Sequence, residues 1–129
     1  MRSLLDRVNV MAVVGHLLIV AFGVLGATAW STASFAAAGP VGDVISAAFV
    51  LLGVAGAYSA ACRRGWHEVL ILRAESVTFG LVTVMSTGIL LTTSFTQWQG
   101  VAMYAALGVS LGTRSRTMAL ALRRAQEGL

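Results

Sequence analysis

Charge is scarce in this 129-residue chain: 11% of residues are charged, against about 25% in a typical soluble domain. Lys is absent, so all nine basic residues are Arg, and the net charge is +4. A water-soluble domain of this size needs a polar face on each element, marked by charges every few residues. Those charges are missing over long stretches, which argues against a soluble globule. Cysteine is equally sparse. Cys62 stands alone, cannot form an intramolecular disulfide, and lies beside Arg63 and Arg64, as expected of a reduced thiol at a cytoplasmic helix end. No Cys/His spacing resembles a metal site, and no catalytic constellation or cofactor motif is present, so neither an enzyme nor a cofactor is expected. Nucleic-acid binding is also disfavoured, because every Arg cluster abuts a long apolar run instead of a solvated scaffold.

What is abundant is apolar surface, with 57% hydrophobic residues and a mean hydropathy of +0.83. A bilayer core of about 30 Å takes roughly 20 helical residues, and four uncharged stretches approach that length. They run over residues 10–30, 44–62, 76–94 and 98–113, followed by a basic tail over 114–129. The predicted fold is all-α: a single-domain integral membrane four-helix bundle made of two helical hairpins. The fourth stretch is short, so it either thins the bilayer or continues through Met118, Leu120 and Leu122 as a longer helix. Ala27-Thr28-Ala29 resembles a signal-peptide cleavage site, but the first apolar run is longer than usual for a signal peptide, and three more follow, so it is read as a retained span.

Arg placement gives the orientation. Arg2 and Arg7 precede the first span; Arg63, Arg64 and Arg73 lie between the second and third; Arg114, Arg116, Arg123 and Arg124 follow the fourth. The opposite loops, 31–43 and 95–100, hold no basic residue. The positive-inside rule therefore places both termini in the cytoplasm, in a multi-pass protein of the cytoplasmic membrane. Trp30 and Trp98 then anchor the outer interface and Trp66 the inner one, while the tail is drawn to anionic headgroups. At the helix ends, Gly39-Pro40 reads as a turn with Asp43 capping the second span, and Thr96 with Gln99 has capping-box spacing.

Between the second and third spans, residues 63–75 read as an interfacial helical elbow. Arg64 and Glu68 are four apart, and Glu68 and Glu75 are seven apart and share a face, read as solvated or Arg-paired. His16 is the one imidazole inside an apolar span. A buried His can relay protons or line an aqueous path, but a neutral ring bonded to a Ser or Thr of a neighbouring helix is the expectation. No span as drawn contains a carboxylate. That argues against a coupled transporter such as the small multidrug transporters, whose first helix carries an essential Glu that VVGHLLIVAFG lacks. Glu75, Thr83 and Ser86 recur at helical spacing and form a candidate polar or pore-lining face with His16, although Ser and Thr also bond their own helix carbonyls. Gly108 with Gly112, Gly53 with Ala57 and Gly56 with Ala60 are candidate helix-packing pairs, chiefly within the bundle and in part for oligomerisation.

The architecture resembles small four-span membrane proteins of actinobacterial phages and prophages, some described as holin-like. The resemblance rests on size, cytoplasmic termini, the Arg-Arg-Gly-Trp elbow with Glu75 opening the third span, and the tail RSRTMALALRRAQ. It spans the whole chain without a diagnostic motif. It implies homo-oligomerisation in the cytoplasmic membrane and timed permeabilisation, with no catalytic residues. The alternatives are a non-enzymatic membrane accessory or phage exclusion factor that binds another membrane protein, and a small transporter.

Overall fold

A computed structural model describes residues 2–28, 33–92 and 98–128, with side chains over 10–28, 36–92 and 98–128. Trp30, Thr96 and the proposed outer-loop residues around them lie outside the described residues. The described chain is helical throughout, in the order α1 (Arg2–Gly26), α2 (Ala33–Ala38), α3 (Pro40–Ala61), α4 (Gly65–Thr92) and α5 (Trp98–Gln126). Among the described residues there are no strands.

Helix ends depart from the sequence expectations where local chemistry overrides the hydropathy pattern. α1 stops at Gly26, short of residue 30, and residues 33–38, expected as loop, form the short helix α2. α3 starts at Pro40, whose fixed φ suits the first helical position, after Gly39 at φ +55°, a left-handed conformation that glycine adopts without a Cβ penalty. Asp43 is therefore an exposed residue of the first turn and not the cap. The elbow is also revised. Residues 62–64 form a Schellman turn, in which Arg64 N–H donates to Ser59 O at 2.9 Å and Arg63 N–H donates to Ala60 O at 3.2 Å. Arg63 takes the left-handed position at φ 54°, the one usually given to glycine.

α4 then runs unbroken from Gly65, so Glu75 sits well inside a helix and does not open it. The last long helix likewise continues past Thr113 to Gln126, which resolves the short fourth span in favour of a longer helix. At 1.5 Å per residue, α4 and α5 are each over 40 Å long by a rough estimate, longer than a hydrocarbon core. α3 and α4 are long and apolar enough to cross a membrane, and Val10–Gly26 is a shorter apolar segment.

Two antiparallel hairpins make the bundle. In the first, α1 packs on α3, with Gly23 against Ser46 and Phe49, and Gly53 against Val20 and the His16 carbonyl. In the second, α4 packs on α5, with Gly108 against Phe79 and Ser76, and Gly112 against the Ser76 hydroxyl. Ser76 Oγ donates to Gly108 O at 2.6 Å and Ser115 Oγ to Val69 O at 3.2 Å, fixing that pair in register. The small-residue positions Gly53, Gly56, Gly108 and Gly112 thus serve close approach inside the bundle; Ala60 is fully buried and Ala57 half-buried.

The hairpins meet at an aromatic layer with one ring from each long helix. Phe22 lies 5.1 Å from Phe49, 5.4 Å from Phe79 and 5.7 Å from Tyr104, centroid to centroid, and Phe49 and Phe79 are 4.5 Å apart. Ile19 and Val82 complete this core.

Polarity runs opposite to that of a soluble bundle. Leu51, Val84, Leu91, Met11 and Val109 are each at least 70% exposed, while His16, Ser46, Glu68, Glu75, Ser86 and Ser115 are buried. Water would penalise the first set and favour the second, so the arrangement suits an apolar solvent.

Candidate functional site

About 9 Å along α1 from Phe22, by helical rise, His16 points into the seam between the hairpins. Its Nδ1 lies 2.8 Å from Glu75 Oε1, and both side chains are almost completely buried. Its other nitrogen, Nε2, is 3.8 Å from Glu68 Oε1. Glu68 in turn accepts a hydrogen bond from Arg114 Nη2 at 3.1 Å. Arg114 is 42% exposed, so the cluster runs from a half-exposed guanidinium on α5, through Glu68, to a buried His16–Glu75 pair.

Helix periodicity explains the convergence. Glu68 and Glu75 are seven residues apart, which on a 3.6-residue helix puts them on nearly the same face, two turns apart. The expectation that they share a face holds; of the expected solvated or Arg-paired surroundings, the face is buried and not solvated, and the Arg pairing is met at Glu68 alone. Glu68 pairs with Arg114 on another helix, whereas Arg64 lies over the Tyr58 ring at 5.8 Å. His16 finds a carboxylate in place of the expected Ser or Thr. No local signal marks this pairing, because the charge-free window of the third span begins at residue 76, one residue after the carboxylate that matters. The expectation that no span contains a carboxylate rests on the same boundary, and α4 overturns it by carrying Glu68 and Glu75 within one helix.

The imidazole is held by an absence. A β-carbon at Gly56 would clash with the His16 ring, so glycine on α3 lets the imidazole lie against the helix there. Among the described residues, Glu75 Oε2 and His16 Nε2 are buried without a hydrogen-bond partner. Among the described residues, no group of three or more His, Cys, Asp or Glu side chains is arranged to hold a metal ion.

The remaining candidate polar residues divide by helical angle. Ser86 is eleven residues from Glu75 and comes back to the same buried face, where its Oγ has no hydrogen-bond partner among the described residues. Thr83 is eight residues away, rotated about 80°. It is half-buried, bonds Phe79 O at 2.8 Å, and borders an outer groove of about 550 Å³ between α4 and α5 together with Gly80 and Gly112. Between Glu75 and Ser86 on the α4 face stand Phe79 and Val82, part of the aromatic layer.

A second cleft, of about 860 Å³, lies where α4 begins; Ala12, Arg63, Glu68, Arg114, Met118 and Leu122 line it. It reaches the cluster at Glu68 from the Arg-rich end. Trp66 near the start of α4 and Trp98 at the start of the antiparallel α5 are both exposed, at opposite ends of that hairpin. Arg63, Arg64, Arg73, Arg116, Arg123 and Arg124 are also exposed.

These features define a helical bundle with a buried His–Glu–Glu–Arg cluster and two helices able to cross a membrane. No protein-family model, curated protein or solved structure matches the chain.

Proposed function

We propose that the chain is a four-span bundle of the cytoplasmic membrane, with both termini inside, that permeabilises the membrane as a holin-like homo-oligomer. One observation carries this reading: the hydrophilic surface is folded into the seam between two hairpins whose outer faces are apolar. As a single copy the bundle is sealed, because the aromatic layer blocks the seam and Gly56 leaves no room for solute beside His16. A hairpin that swung away from its mate would present His16 and Ser46 on one side, Glu75 and Ser86 on the other. Such faces are costly in lipid and are satisfied only against water or another copy. A ring of opened hairpins around an aqueous lumen meets that requirement.

Orientation in this reading rests on the nine Arg residues, and α4 and α5 extend into the cytoplasm beyond the bilayer core, where the basic tail meets anionic headgroups. The test is controlled expression with a membrane-potential dye. Abrupt depolarisation and cell death are expected; sustained growth at full potential with the protein in the membrane would sink the proposal.

A second reading is favoured by the buried His16–Glu75 pair and by the cleft that reaches Glu68 from the Arg-rich end. These are parts a small proton-coupled transporter would use. In sealed vesicles that reading predicts proton movement while a trapped small dye is retained, whereas permeabilisation releases both.

A further inference from the structure

The cleft of about 860 Å³ at the Arg-rich end opens between α1 and α5, beside the first turns of α4. Its lining is of two kinds: the guanidiniums of Arg63 and Arg114, and the apolar side chains of Ala12, Met118, Ala121 and Leu122. Glu68 is the one acid among the described lining residues, and its side chain is 7% exposed against 42% for Arg114. The open space therefore meets more of the guanidinium than of the carboxylate. A guanidinium carries five N–H donors, so the 3.1 Å bond from Arg114 Nη2 to Glu68 orients the group and leaves donors for a second acceptor. Arg114 Nη1 reaches toward α1, lying 3.8 Å from where a β-carbon of Gly15 would stand. Arg63 has an interaction of its own and holds a left-handed position, φ 54°, where glycine would be less strained. The backbone there places a charged side chain on the cleft, where glycine would leave none. Gly65, whose β-carbon position is 3.0 Å from Leu122, is followed by the exposed Trp66, so the cleft lies level with the expected inner-interface anchor.

We infer that this cleft is a seat for one anionic phospholipid of the cytoplasmic leaflet. Arg114 and Arg63 hold the phosphate, whose oxygens suit the planar fork of a guanidinium. The glycerol end covers Met118 and Leu122, and the acyl chains pass Ala12 and Ser110 between α1 and α5, toward the Phe22–Tyr104 contact. Such a lipid touches both hairpins at the end where α1 and α5 stand apart, and by binding the closed bundle it stabilises that form through mass action. The attraction of the basic tail to the membrane surface is different in kind, being diffuse and without stoichiometry. The seat rests on the membrane placement in the proposed function, and not on permeabilisation.

The experiment places the full chain in nanodiscs of equal parts phosphatidylglycerol and phosphatidylcholine and counts the lipids retained per chain by native mass spectrometry. One retained phosphatidylglycerol is expected, preferred about tenfold over phosphatidylcholine, the scale set by two guanidiniums near one headgroup charge. Arg63→Gln with Arg114→Gln should abolish the preference. Arg123→Gln with Arg124→Gln removes as much charge from the tail and should leave it intact. Because Arg114→Gln also deprives Glu68 of its partner, Ala121→Trp is the second variant: it fills the cleft from an exposed position without altering a charge, and should lose the retained lipid. A preference lost equally in the tail variant, or a lipid still retained in Ala121→Trp, overturns the seat. Displacement by excess glycerol 3-phosphate overturns the lipid as occupant in favour of a soluble phosphate ester. A changed oligomeric state in Ala121→Trp with lipid retention unaltered overturns it in favour of a second copy of the chain. A chain that does not enter nanodiscs removes the membrane placement and the seat together, whereas one that retains the lipid yet never depolarises cells keeps the seat and removes the permeabilisation reading.

Discussion

Gly56 and His16 occupy one space. The imidazole fills the volume that a side chain at residue 56 would need, so the orientation of the ring toward Glu75 is set from α3 as much as from α1. A one-carbon change on α3 should therefore disturb a hydrogen bond between α1 and α4.

For Gly56→Ala we expect destabilisation of about 1 to 3 kcal/mol, the usual cost of overpacking a filled core. Thermal or denaturant unfolding in mild detergent measures it. Gly80→Ala is the control, because nothing lies within 4 Å of a β-carbon there. Relief of glycine's helix penalty should make it neutral or more stable by up to about 1 kcal/mol. Equal losses at both positions would mean that His16 is not packed on residue 56.

The α3–α4 turn offers a gain. Arg63 holds the left-handed position of a Schellman turn at φ 54°, where a β-carbon crowds the backbone. Arg63→Gly should stabilise the hairpin connection by about 1 kcal/mol, seen as a higher unfolding midpoint. No change would mean that side-chain contacts of Arg63 offset the strain.

Ser76 ties α4 to α5 through the Gly108 carbonyl, and a β-carbon at Gly112 would come within 2.9 Å of its hydroxyl. Ser76→Ala should cost about 0.6 to 1.7 kcal/mol, the range for hydrogen bonds between membrane helices. Gly112→Ala should cost more in the wild type than in Ser76→Ala, where the obstructing oxygen is gone. Strict additivity in this double-mutant cycle would disprove the contact.

The helical class and the antiparallel pairing were legible in apolar run lengths and small-residue spacing, because both follow from local periodicity. The site was legible only in parts. His16 and Glu75 each stand out, and their seven-residue spacing puts Glu68 and Glu75 on one face, yet the partners of all three come from other helices. Charge-free windows place a helix edge at the first charged residue. The helix itself continues wherever hydrogen bonding does, so the charge pattern puts Glu75 at a span's edge whereas it lies ten residues into α4. Gly23 and Ser46 left no signal, since their contact depends on hairpin register.

Leu81 distinguishes the solvents in which this bundle could live. It lies in the apolar helix α4 and is 57% exposed on the bundle surface. If that surface faces water, Leu81→Arg replaces an exposed apolar side chain with a charged one and leaves stability within about 0.5 kcal/mol. If it faces lipid, a charge near the middle of a spanning helix costs about 2.5 to 3.5 kcal/mol of insertion free energy. Membrane fractionation with carbonate extraction reads the difference, with a lower integrated fraction expected for Leu81→Arg than for Leu81→Val. Arg at residue 120, exposed on the part of α5 proposed to leave the bilayer, should be tolerated in the same assay. A Leu120→Arg penalty equal to that at Leu81 would place the end of α5 inside the membrane and move the cytoplasmic boundary past Arg114.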